Sequence, residues 1–109
     1  MENVWEATFS KLTLFPEEMQ AHMQRWQEWM GGMAKNNQFV GGQPLMDEAK
    51  SLIDGGKQVL DRPLAEGKEL VGGFIIVKAD SLNQASDLAK GCPGFEHNCT
   101  IEVREIRPM

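Results

Sequence analysis

Met19, Met23, Trp26, Met30 and Met33 recur at spacings of four and three, the apolar stripe of an amphipathic helix. The pattern predicts a helix over Pro16–Lys35, with His22 and Trp29 flanking the stripe and Glu17, Gln20, Gln24, Arg25 and Glu28 elsewhere on the wheel. Pro16 suits the first helical position, because the amide it lacks would have no intrahelical partner. Glu17 and Glu18 follow where the helix dipole favours negative charge. Phe15 at the N-cap cannot accept from the free amides, which makes this start weaker than a Ser or Thr cap would. Lys35, Asn36 and Asn37 close the helix with a cation and residues tolerant of a left-handed turn.

Elsewhere the period falls to two. Val71–Ala79 reads as the strongest strand, with Val71, Ile75 and Val77 on one face and Phe74 and Ile76 on the other. Apolar residues on both faces predict that both are covered. Thr100–Arg107 alternates Ile101 and Val103 with Glu102 and Arg104, as an edge or half-wet strand does. Gln38–Val40 is a short strand cut off by Gly41–Gly42, and Phe9, Leu12 and Leu14 suggest a first strand over Thr8–Phe15. Asp54–Gly55–Gly56 is a turn signal between short arms at Ser51–Ile53 and Gln58–Leu60. Ser81 with Gln84 makes a capping box. Leu82, Ala85, Leu88, Ala89 and Cys92 form a second helical stripe, stopped by Gly91 and Pro93.

The element order is then β, α, β, an inserted hairpin, β, α, β. Two crossovers of this kind fold as a split βαβ, α+β ferredoxin-like sandwich with both helices on one face of the sheet. The opposite face of the central strand is left bare, and a second copy of the same sheet is the simplest cover. A homodimer follows from the pattern.

Composition narrows the function classes. At 109 residues, 41% hydrophobic and 25% charged, the chain reads as one globular domain over residues 1–109. Eleven basic against sixteen acidic side chains give −5, the wrong sign for binding nucleic acid. The longest apolar run, Phe74–Val77, is too short to span a membrane. The opening residues lack the basic and apolar regions of a secretory signal, which predicts a cytoplasmic protein. Cys92, His97 and Cys99 fall one ligand short of a zinc site, so free buried thiols are expected. The glycine pairs Gly41–Gly42 and Gly72–Gly73 fit neither a P-loop nor a dinucleotide fingerprint, and there is no G-x-S-x-G elbow. No cofactor or metal is expected.

Four stretches, taken in order, resemble the YCII-related proteins of the DGPF-domain branch. They are Pro16–Gln20 with Trp26–Gly31, Val40–Leu45, Asp61–Glu69 leading into Gly72–Phe74, and Glu102–Arg104 with Ile106–Pro108. The resemblance implies a dimeric α+β barrel in which two ferredoxin-like sheets pack face to face. It also implies a ligand-sized cleft between sheet and helices, and an accessory or regulatory role in a pathway linked to sigma factors. Three departures stand out. Arg62 and Leu64 replace the glycine and phenylalanine that name the branch; Met1–Phe15 diverges from the usual opening strand; and a histidine that works with an aspartate in related proteins falls on Trp26, with His22 one turn earlier.

The candidate chemistry is sparse. Asp61, Glu66, Lys68 and Glu69 cluster ahead of the buried strand. Folded over a cleft, Asp61 would serve as a general base and Lys68, with Glu66, would contact a charged ligand; otherwise these are surface charges in structural pairs. His22 titrates near neutrality and is the alternative acid–base group, or a structural histidine. Trp26 and Trp29 wall an apolar ligand pocket, or else belong to the core. Two readings stand. One is a binding module for a small aromatic or aliphatic acid; the other is a cofactor-independent isomerase or lyase moving a proton with Asp61 or His22.

Overall fold

A computed structural model of the chain describes residues 3–11, 16–46, 48–62 and 71–107. The strands are β1 (Asn3–Ser10), β2 (Phe39–Pro44), β3 (Ser51–Ile53), β4 (Gln58–Leu60), β5 (Val71–Ala79) and β6 (Ile101–Glu105). The helices are α1 (Pro16–Lys35) and α2 (Leu82–Ala89), with a short 3₁₀ helix at Pro93–His97. One sheet runs β2-β5-β1-β6 with antiparallel neighbours throughout, and β3–β4 stands apart as a two-stranded hairpin. This is the α+β, ferredoxin-like sandwich that the element order predicts.

β1 sits further towards the N-terminus than the expected Thr8–Phe15, and Leu12–Phe15 lie outside the described residues. The reason is visible in Trp5-Glu6-Ala7-Thr8-Phe9-Ser10, where apolar and polar residues alternate without a break. Trp5, Ala7 and Phe9 are buried against the helices, opposite Val77, Ile75 and Gly73 of β5. The Trp5 indole N–H donates to the Ala79 carbonyl at 3.0 Å, so a large amphipathic ring is buried with its polar atom satisfied. In β5, Ile75 and Val77 share a face as predicted, and with Ala79 it is the buried one, but Val71 is exposed. The register slips between Phe9 and Ser10, and this slip takes Val71 out of the alternation.

β2 runs through Gly41–Gly42 rather than stopping there, with an irregularity between Phe39 and Gly41. A Cβ at Gly42 would lie 2.6 Å from the Phe74 carbonyl oxygen, so only glycine lets β2 pass this close to β5. At Gly73 the missing Cβ leaves room for the Phe9 ring, which lies over it.

α2 is capped as expected: Ser81 Oγ accepts from Gln84 N–H at 3.1 Å. The return bond goes to Asp80, whose N–H donates to Gln84 Oε1. The helix ends at Ala89 instead of carrying its stripe to Cys92, because Cys92 caps the 3₁₀ helix, its sulfur accepting from Gly94 N–H. Cys92 and Cys99 are free and buried. Burial pushes the Cys92 thiol up to about 12, against a partly offsetting bond from Gly94 and with Cys99 adding to the rise. Asn98, at φ 61°, closes the 3₁₀ segment with a left-handed turn.

The helices cover one face of the sheet. Phe74 and Ile76 of β5, with Glu6 and Thr8 of β1, point the other way and are half-buried. In the hairpin, Asp54, Gly55 and Gly56 all take positive φ and turn the chain. Leu52 and Val59 on its arms are exposed. Ser51, at its base, is buried and donates to the Arg62 carbonyl at 2.7 Å. Among the described residues no helix is long and apolar enough to cross a membrane.

Candidate functional site

The stripe on α1 is rotated from the one its methionines suggest. Trp26 and Met33 are buried, but Met19 and Met23 are about half exposed, while His22 keeps only 2% of its surface. The two ends of the helix stand differently on the sheet. Towards its C-terminus α1 packs closely: the Trp29 indole N–H donates to the Leu88 carbonyl of α2 at 3.1 Å, and Met33 is sealed. Towards its N-terminus the helix stands off, and a cavity of about 310 Å³ opens between α1, β1, β2 and the start of β5. Met19, Met23, Trp26 and Met30 line it from the helix, Phe9 and Ile75 from the sheet. Its walls are mainly apolar, with His22 set among them and Lys11 and Gln43 as further polar lining. The volume is at the small end of the range for ligand pockets.

The wall is fixed by aromatic contacts. Trp26 packs against Phe9 with ring centroids 4.8 Å apart, and stands edge-on to Trp29 at 5.5 Å. Its indole N–H donates to His22 Nε2, one helical turn away, at 2.5 Å. Because an indole nitrogen only donates, Nε2 carries no proton, and a neutral His22 holds its hydrogen on Nδ1. That Nδ1 is buried and has no hydrogen-bond partner among the described residues. Burial holds the His22 pKa below the ordinary 6.5; His97 and Arg25 lower it further, and Glu96 and Glu18 pull the other way.

His97 stands edge-on to His22, with ring centroids 4.8 Å apart. One donor atom each from His22, Glu96 and His97 lie within 4.8 Å of one another. The spacing is open enough for a cation, but the chemistry opposes one. A metal on Nδ1 would force the proton onto Nε2, where it would face the Trp26 N–H, and Glu96 is already paired with Arg25 at 3.0 Å.

The predicted site residues thus separate. His22 and Trp26 meet at the cavity. Trp29 braces α1 against α2 and is not among the described lining residues. Asp61 lies at the hairpin base, paired with Lys50 at 3.0 Å with its side chain 83% exposed, and does not line the cavity either. Glu66 and Lys68 lie outside the described residues. Sequence reasoning missed Glu96 and gave His97 no part beside His22. Nothing local signals their approach, since the 3₁₀ helix brings them under α1 only in the folded chain.

A family model described as the YCII-related domain matches residues 1–109. No curated protein matches the chain. Among solved structures, 5-chloro-2-hydroxyhydroquinone dehydrochlorinase (TftG) from Burkholderia phenoliruptrix AC1100, in complex with 2,5-dihydroxybenzoquinone, superposes with a TM-score of 0.55 at 11% identity. The match covers 95% of this chain and 93% of that one. At that identity the likeness is one of fold.

Proposed function

The chain belongs to the YCII-related domain family, and from that premise we propose that it binds a small, largely apolar ring compound in the cleft beneath α1. The observation that carries this reading is a cavity of about 310 Å³ with one deeply buried titratable side chain, His22, in a mainly apolar wall. Apolar walls supply affinity and one polar contact sets orientation, the usual division of labour in small-molecule sites. Trp26 provides the aromatic wall. Lys68, in the charged stretch before β5, is the candidate for contact with an acidic group on the ligand, and Glu66 is a further candidate ligand contact. The role is that of an accessory or regulatory binding module in the cytoplasm, within a sigma-factor-linked pathway.

A second reading has its own support. A dehydrochlorinase shares the fold, and His22 carries a titratable nitrogen beside the cavity. Cofactor-independent proton transfer, as in an isomerase or lyase, would use this imidazole rather than Asp61, which the pairing with Lys50 keeps at the hairpin base. We also read the protein as a homodimer. Phe74 and Ile76 give the uncovered sheet face an apolar centre that a second copy would bury.

The test is a thermal-shift screen against hydroxylated quinones, phenols and aromatic or aliphatic acids. A ligand at ~100 times its Kd adds about 2.7 kcal/mol, several degrees in Tm for a domain of this size. The shift is expected to survive Asp61→Asn and to vanish in His22→Leu. A flat screen across these classes overturns the binding reading. Turnover of a bound compound, lost in His22→Gln with binding kept, selects the enzyme over the module. Light scattering that gives the mass of one chain at micromolar concentration overturns the dimer.

A further inference from the structure

His22 has an unpartnered Nδ1–H, and its ring has two acceptors close by on the 3₁₀ helix, the Glu96 carboxylate and the His97 ring, each with an atom within 4.8 Å of an imidazole nitrogen of His22. Their backbone is well anchored. Gly94, two residues before Glu96, accepts from Cys99 N–H at 3.1 Å through its carbonyl and donates to the Cys92 sulfur. Pro93 sets its entry and Asn98 its exit. The side chains therefore hang from a fixed segment, and what can move is the end of Glu96. Its carboxylate is held by Arg25 at 3.0 Å, with both side chains about half exposed. An exposed ion pair of this kind is weak and exchanges partners readily.

We propose that Glu96 is a positioning residue for His22, its carboxylate exchanging between the Arg25 guanidinium and the Nδ1–H of His22. This rests on reading the cleft as the ligand site. With Trp26 donating to Nε2, the ring has one route to a second proton. A ligand hydroxyl displaces the indole N–H and gives its proton to Nε2, leaving the ligand oxygen negative and the ring positive. The imidazolium then keeps its Nδ1–H, and an anion is needed there. Glu96 is a carboxylate placed to supply it, so cleft occupancy and the Arg25–Glu96 pair are coupled. The charged and titratable groups facing His22 are Glu18 and Arg25 from α1 and Glu96 and His97 from the 3₁₀ helix, with Lys11 lining the same cavity. The sheet offers apolar Phe9 and Ile75 on this side.

The two histidines of the chain make the test direct. In protein labelled with ¹⁵N-histidine, imidazole nitrogen shifts report tautomer and titration without any ligand. Wild type is expected to show His22 as the Nδ1–H tautomer at neutral pH. Arg25→Gln frees Glu96 and raises the His22 pKa; Glu96→Gln lowers it, each on the order of one unit, as for a neighbouring carboxylate. In the double variant the Arg25 effect largely disappears, and Glu96→Asp restores part of the wild-type value. Both sites are on the surface, so the fold is kept. A His22 titration in Glu96→Gln that superimposes on wild type overturns the proposal. So does a larger response to His97→Gln than to Glu96→Gln, which would assign the role to His97. Failure of the cleft reading shows separately, as a flat ligand screen with these NMR shifts intact.

Discussion

The two halves of α1 are built from the same residue types and do opposite things. Around Trp29 and Met33 the helix packs closely, with Met33 sealed, and the indole N–H has its acceptor in α2. Around His22 and Trp26 the helix stands over an open cavity, two methionines keep about half their surface, and a buried nitrogen has no partner. The first half stabilises the domain; the second spends part of that stability on a place where something else can bind. An unsatisfied buried donor is costly to folding, and here it belongs to a residue that lines the cavity beneath the helix.

The contrast is sharpest for methionines. Met33→Ala is expected to cost about 2–5 kcal/mol in urea unfolding, as for other sealed core positions. Met23→Ala, beside the cavity, should cost under about 1 kcal/mol. Equal losses would erase the distinction between the halves.

Acidification probes the open half through His22. His22 is held below 6.5 when folded, so below that pH the unfolded chain binds the extra proton first. The contribution of His22 is therefore full above pH 6.5 and is lost as pH drops through the folded pKa. The loss is about 1.4 kcal/mol for each unit of depression. His22→Gln, which still offers Trp26 an acceptor, should flatten this part of the profile.

The closed half answers to Trp29→Phe, which removes the bond to Leu88 for about 1 kcal/mol and leaves the ligand screen unchanged. Smallest of all, Asp61→Asn breaks an exposed pair with Lys50 and should move stability by less than about 0.5 kcal/mol. A large loss of ligand response there would shift the site from α1 to the hairpin.

How far the sequence foretold this depends on the range of the forces involved. The span of α1 follows from apolar spacing with Pro16 and Lys35 at its ends, and β5 from its run of branched residues. Both are local signals. β1 was equally legible in Trp5–Ser10, but Leu12 and Leu14 carry more apolar weight and drew the expected strand towards them. The face of α1 was not legible. Methionines mark the stripe, but where the helix lifts from the sheet a methionine lines the opening, and His22 takes the buried position. Nor could spacing reveal that Asp61 finds Lys50, or that Glu96 and His97 reach α1. Each depends on how separate segments meet in the folded chain.

Phe9 lies over Gly73, where there is no side chain to keep the ring away, and in turn supports the Trp26 wall. A methyl group at position 73 would meet both that ring and, at 2.7 Å, the Gln43 backbone oxygen of β2. It would press on the β2–β5 pairing and, through Phe9 and Trp26, on the indole that holds His22 Nε2. One hydrogen atom in the sheet thus sets both the room in the cleft and the seating of the imidazole above it, so a change of size there is also a change of chemistry.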